Sequence, residues 1–264
     1  SDAVAGIDNF NTKSDCVGRE FNVDYKATTS DRQHDSQFSV LYGHEFDDSN
    51  LILAASYFDR SPLSAADRSD EFELRDANSN FGHPGTFLVF QPAGAPQRVA
   101  DPSCEQVAAE NPGTTTGVTP IGFCGFDFGD FFSMVADEAR SHVYAEFNSK
   151  LSDETSLFVE LGYSDNKILT KGSPSQPLLF PPFIPPTNPS AAVLGNTQGA
   201  LFFGRPDGSG SASSEVDIKS ETWRAVFGFN GYFNDNWSWQ AALGHSENIY
   251  DYSNSQDTLI DRFT

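Results

Sequence analysis

Residues 138–169 limit the possible folds more than any other stretch. Val143, Ala145 and Phe147 alternate with Tyr144, Glu146 and Asn148. Beyond Ser152-Asp153-Glu154-Thr155, the residues Leu157, Val159, Leu161 and Tyr163 alternate with Ser156, Phe158, Glu160, Gly162 and Ser164. A period of two places each set on its own face of a β-sheet, and the intervening residues carry turn chemistry. The hairpin therefore has one apolar face, and that face touches either a soluble core or lipid.

The unit recurs along the chain. Strands are expected over 20–28, 37–46, 51–60, 218–233 and 237–250, with tight turns at 47–50, 152–155 and 234–236. Phe46-Asp47-Asp48, Leu151-Ser152-Asp153 and Phe233-Asn234-Asp235 sit in similar frames, followed by the small residues Ser56, Gly162 and Gly244. Long segments rich in Gly and Pro, 62–137 and 170–217, make the other connections. Strands of about ten residues exceed the five or six usual in soluble sheets. Short turns at one end and long loops at the other are the plan of outer-membrane barrels. On the last pair, Trp223, Phe227, Phe229, Phe233, Trp237, Trp239 and Leu243 share one parity. Arg224, Gly228, Asn230, Ser238, Gln240 and Ser246 take the other, as a lipid-facing wall with aromatic girdles and a wet lumen requires. An ordinary sheet with one solvated face is the alternative.

Composition narrows the classes. A net charge of −21 over 264 residues excludes nucleic-acid binding, because phosphates would repel the chain. The sequence has no apolar run long enough for a transmembrane helix, whereas alternating strands escape that test. Cys104 and Cys124 share one loop and suit a disulfide in an oxidising compartment; two unpaired thiols are the alternative. Cys16 is left over.

Few constellations point to chemistry. The five histidines, His34, His44, His83, His142 and His245, lack metal-ligand spacing, and the Asp pairs lack a calcium-loop pattern. Neither a metal nor a cofactor is expected, and no catalytic residues. Glu146 and Glu160 face each other across the hairpin and, with Arg224, are candidates to line a lumen and meet a ligand. Phe123, Phe126, Phe128, Phe131 and Phe132 cluster around Cys124; they could stack on a ligand or pack the loop's own core. The proline-stiffened run 178–186 could cover a barrel mouth or dock on a neighbour.

The start of the chain adds a motif. Ser1, Asp2, Ala3, Val4, Ala5, Gly6, Asn9, Phe10, Thr12 and Lys13 resemble the end of the plug domain of TonB-dependent outer-membrane receptors. Asp8 and Asn11 depart from it, where that family usually has aliphatic residues. The resemblance implies an all-β fold: an antiparallel, plugged transmembrane barrel, present here as about seven strands. Residues 1–13 would then be plug end and junction, and 14–264 the first part of the barrel, with extracellular loops at 62–137 and 170–217. It further implies active uptake of a scarce nutrient across the outer membrane of a Gram-negative bacterium, and no enzyme activity. The implied partners are TonB (through sequence upstream of residue 1), outer-membrane lipid and lipopolysaccharide, and a small nutrient. Unclosed edges cannot face lipid, so further strands at both ends, or other chains, are expected. A passive porin and a soluble β-rich binding module remain the alternatives.

Overall fold

A computed structural model of the chain describes residues 16–29, 32–68, 78–174, 176, 181–189, 191–195, 198–206 and 213–255. The plug-like run at 1–13 lies outside them, as do residues 178–180 of the proline-rich run. The fold is mostly β, and every strand pairing is antiparallel among the described residues.

Seven long strands form one sheet: β1 (Gly18–Ala27), β2 (His34–Phe46), β3 (Ser49–Arg60), β4 (Asp137–Ser152), β5 (Thr155–Gly172), β6 (Ser214–Asn234) and β7 (Trp237–Ser255). Each pairs with its neighbours in sequence, so the sheet is a meander with β1 and β7 as its two edges. Its turns are tighter than the sequence pattern predicts. Ser49 and Asn50 already pair with Phe46 and Glu45, which leaves Asp47-Asp48 as a two-residue link. Ser152 pairs with Thr155, and Asn234 with Trp237. Two-residue hairpins match the natural twist of the strands, and Asp and Asn tolerate the backbone they require.

The register carries the predicted parities across the whole sheet. Leu53, Ala145, Leu161, Ala225 and His245 lie in one cross-strand row, as do Leu51, Phe147, Val159, Phe227 and Leu243. The opposite face holds Asn50, Asn148, Phe158 and Gly228 in one row and Ile52, Glu146, Glu160 and Val226 in the next. Phe158 lies across Gly228, where an added Cβ would meet its ring at 2.4 Å. Only glycine allows that approach.

Burial runs opposite to that of a soluble sheet. On central strands the apolar-face residues Leu53, Val143, Leu161 and Phe227 are 42–53% exposed, while Ile52 and Glu146 on the other face are 3% and 8% exposed. Every exposed residue of β5, namely Leu161, Tyr163, Lys167 and Lys171, has the apolar-face parity. Around Ile52 and Glu146 the polar side is the enclosed one, while His142, Arg224 and Asn230 of the same face are exposed.

Beyond Tyr163 and Trp223 the strands run on toward the long loops, and the outer face turns charged. Lys167 meets Asp165 at 3.4 Å, Lys171 meets Glu215 at 3.3 Å and Lys219 meets Glu221 at 3.1 Å. No helix among the described residues is long and apolar enough to cross a membrane.

Candidate functional site: the loop cap and the enclosed face

Both long connections leave the same end of the sheet and fold on each other. Thr86–Val89 pairs with Gln97–Ala100 on one side and with Ala200–Phe203 on the other, and Phe183–Ile184 completes this small sheet. A second sheet joins Asn78–Ser79, Cys124–Asp127 and Thr115–Val118. Where the sequence shows only irregular segments, the chain thus builds a cap with its own strands and a short helix, Cys104–Glu110. Val89, Leu194 and Ala200 are its buried centre, with Phe87, Val99 and Ile184 packed against them.

A disulfide between Cys104 and Cys124 fastens the helix to the second sheet, with the Cα atoms 5.9 Å apart. Both half-cystines are fully buried. Neighbouring polar groups hold the staple in place. The Cys124 N–H donates to Thr86 Oγ1 at 2.8 Å, and Ser103 donates from its N–H and O–H to Asp101 at 2.9 and 2.6 Å.

The five phenylalanines do not share one surface. Phe126 is buried and stacks on Phe131, centroids 5.5 Å apart, while Phe128 and Phe132 meet edge to face at 5.7 Å. Phe123 lies 6.3 Å from Phe81, which neighbours Phe203 at 5.9 Å, and the Arg98 guanidinium sits 5.1 Å above the Phe123 ring. Phe126 and Phe131 therefore serve the cap's interior. Phe123 belongs to a separate, partly exposed aromatic row ending in a cation.

The sequence carried no signal for Arg205, which the fold buries against Phe126 where the two long connections meet. It is 1% exposed, lies 4.3 Å above the Phe126 ring, and donates through Nη1 to the Pro174 carbonyl. Its backbone N–H donates to Gly82 O at 2.8 Å, and its carbonyl is 3.1 Å from His83 Nδ1. Burial pulls its pKa down to about 10, because desolvation disfavours the charged form. Only contacts between distant segments bring Pro174, Phe126 and Arg205 together, so no local pattern could flag them.

On the enclosed face of the large sheet, Glu146 and Glu160 are directly opposed across β4 and β5. Like charges so placed repel, and the surroundings separate their roles. Glu146 accepts from the Tyr144 hydroxyl at 2.7 Å and from Asn148 Nδ2 at 2.8 Å, while Glu160 pairs with Arg224. Nearer the tight turns, a concavity of about 600 Å³ is lined by Ser156, Asn230, Ser238 and Gln240 among others. Hydrogen-bonding groups dominate this lining, as a water-filled space favours. No cluster of three or more metal-ligating side chains occurs among the described residues.

Comparison with models of protein families, with curated proteins and with solved structures returns no match for this chain.

Proposed function

We propose that this chain is part of the barrel of a TonB-dependent receptor, which captures a scarce nutrient at the cell surface and imports it across a bacterial outer membrane. The observation that carries the reading is the reversed burial of the large sheet. A soluble sheet hides its apolar face and wets its polar one. Here Val143, Leu161, Phe227 and Leu243 are exposed while Ile52 and Glu146 are enclosed. A contiguous apolar surface of this extent marks a partner or a membrane.

Dimensions and ends support lipid as that partner. From Trp223 to Phe233 the strand rises about 33 Å, which at a tilt of about 40° spans about 25 Å, the usual height of the apolar band. All three two-residue turns fall at one end of the sheet, and the cap stands at the other. In this reading β1 and β7 continue into further strands, and the cap with its aromatic row is the extracellular ligand-capture surface. Glu146, Glu160 and Arg224 line the path inward. The plug-like run at 1–13 supports the TonB-driven form over a passive porin. TonB moves the plug; lipid and lipopolysaccharide surround the wall.

Trp223, Trp237 and Trp239 all share the apolar-face parity and provide the test. Reconstituted with lipids brominated along the acyl chain, the protein should lose most of its tryptophan fluorescence. A folded monomer in plain buffer, unquenched by such lipids, sinks the membrane reading. Nutrient uptake that persists in cells lacking TonB would turn the receptor into a porin.

A further inference from the structure

We infer that the polar face of β5, β6 and β7 is a binding track for an uncharged, hydroxyl-rich ligand of the saccharide class. The inference rests on the import reading for its meaning and names the substrate class of that path; as a binding site it can fail alone. Charge is sorted by face on these strands. Over Ser156 to Thr170, Ser214 to Asn234 and Ser238 to Asn254, the only charged residues with polar-face parity are Glu160 and Arg224, which pair with each other. The opposite face of the same strands carries Asp165, Lys167, Lys219, Glu221 and Asp251. The polar face of β1 to β4 is charged as well, with Asp24, Lys26, Asp35, Arg60, Glu138 and Arg140. A chain of net charge −21 thus keeps one side of three long strands neutral, and contact with water alone does not require that.

Hydroxyls, amides and rings take the place of charge, and they are accessible. A hollow of about 280 Å³ lies between β4 and β6, bordered by Tyr144, Ser164, Thr222 and Arg224. Gly162 stands between Tyr144 and Arg224 in the register. A Cβ added there would meet nothing within 4 Å, so the missing side chain is what leaves the hollow open. Toward the cap the surface continues through Asn248, whose Nδ2 lies 2.5 Å from Thr222 Oγ1 and 3.0 Å from Ser220 Oγ. A hydroxyl that accepts keeps its own hydrogen to donate, and the amide keeps its Oδ1 to accept. These three side chains offer donors and an acceptor side by side, a pattern that neighbouring sugar hydroxyls match. Next come Tyr250 and Tyr252, opposite Ser220 and Ile218 and 59% and 58% exposed. Two residues apart on one face, their rings form a platform for the C–H faces of sugar rings, with a phenol hydroxyl on each. Gly162 is opposite Arg224 and Tyr252 is opposite Ile218, which along β6 are about 20 Å apart. That length suits a short oligosaccharide. A ligand of net charge would find no unpaired counter-charge on β5 to β7, and an apolar one would leave these polar groups unsatisfied.

The test is saturation-transfer NMR on the purified full chain in detergent micelles, with maltotriose, cellotriose and mannotriose as neutral probes and trigalacturonate as the charged one. At least one neutral trisaccharide should bind saturably, and trigalacturonate should not. Tyr250→Ala with Tyr252→Ala removes the platform and should weaken that binding about tenfold. Gly162→Val fills the hollow without displacing a neighbour and should weaken it too; it carries the test alone should the tyrosine variant fail to fold. Binding of none of the neutral probes, tighter binding of trigalacturonate, or neutral binding that both variants leave unchanged overturns the track. Lipid quenching of the tryptophans without any saccharide binding defeats this inference and leaves the membrane reading standing. Saccharide binding that these variants weaken, without lipid quenching, does the reverse.

Discussion

The large sheet and the cap are held together by opposite rules. In the sheet, stability comes from ladder hydrogen bonds along strands of up to 21 residues, and large apolar side chains are left outside. In the cap, strands of two to four residues could not stand alone. A small apolar centre, a staple and a buried aromatic–arginine stack stand in for strand length. Short strands need such a core because a lone hairpin is marginal in water. On the membrane reading proposed above, the sheet's bare side would meet an apolar surrounding. One chain would then use the hydrophobic effect inward in the cap and outward in the sheet, and substitutions should tell the two regions apart.

The largest effect belongs to the cap's interior. Phe126→Ala removes a fully buried ring together with the surface under Arg205, and should cost about 3–5 kcal/mol. Hydrogen exchange should show protection lost in 78–127 and 198–206 while the strands β4 to β6 keep theirs. Equal loss in both regions would mean that cap and sheet unfold as one unit. Next comes the staple. Cys104 and Cys124 are 20 residues apart in sequence, and closing a loop of that length is worth about 3 kcal/mol. Reduction, or Cys104→Ser with Cys124→Ser, should speed proteolysis within the cap and leave the sheet's circular dichroism unchanged.

The sheet has its own probe in a contrast of faces. Leu161→Arg puts a charge on the exposed apolar side and should cost about 2–4 kcal/mol in a bilayer. Ser164→Arg, three residues on and facing the enclosed polar side, should cost no more than about 1 kcal/mol. Unfolding titrations of both variants in lipid vesicles read the difference. Equal costs would place water on both sides of the strand.

What could be read from sequence follows the same division. Seven strands, their parities and the three turns were legible because alternation and Asp/Asn turn chemistry are local. The strand ends were not. β5 runs to Gly172 and β6 starts at Ser214 although Lys167, Lys171, Glu215 and Asp217 break the apolar alternation, and ladder pairing with cross-strand ion pairs holds them extended. The Cys104–Cys124 pairing was available from spacing and compartment, with free thiols as the rival. The phenylalanine group read as one cluster is divided by the cap's tertiary pairing, which sends Phe126 inward and sets Phe123 against Phe81. Arg205 had no local signature at all, because Pro174, Gly82 and Phe126 reach it from three distant segments.

The smallest effect tests whether the cap's fringe, where it joins the sheet, is held by polar rather than apolar contacts. Asp67 accepts from the Ser64 hydroxyl at 2.7 Å and from the Ser64 N–H at 3.1 Å, and its own N–H donates back to Ser64 Oγ at 3.1 Å. This reciprocal arrangement opens the 3₁₀ turn Ala66–Arg68 in the manner of a capping box. The Ser64 hydroxyl, and after it the Ser64 backbone N–H, holds the Asp67 carboxyl below its ordinary value. The unfolded chain then takes up the proton first as pH falls. The stabilising contribution is complete above the ordinary carboxylate range and is lost as pH drops through the lower, folded value. The difference in cap stability between the unmodified chain and Asp67→Asn, followed by hydrogen exchange corrected for intrinsic rate, should hold steady from neutral pH to about 5 and shrink below about 4. A difference that grows on acidification would give the carboxyl a raised value in the folded chain and remove the Ser64 contact as its anchor. Because the contact is small and only part-buried, its loss should leave Phe126 and the disulfide region protected, which separates this fringe from the cap's apolar centre.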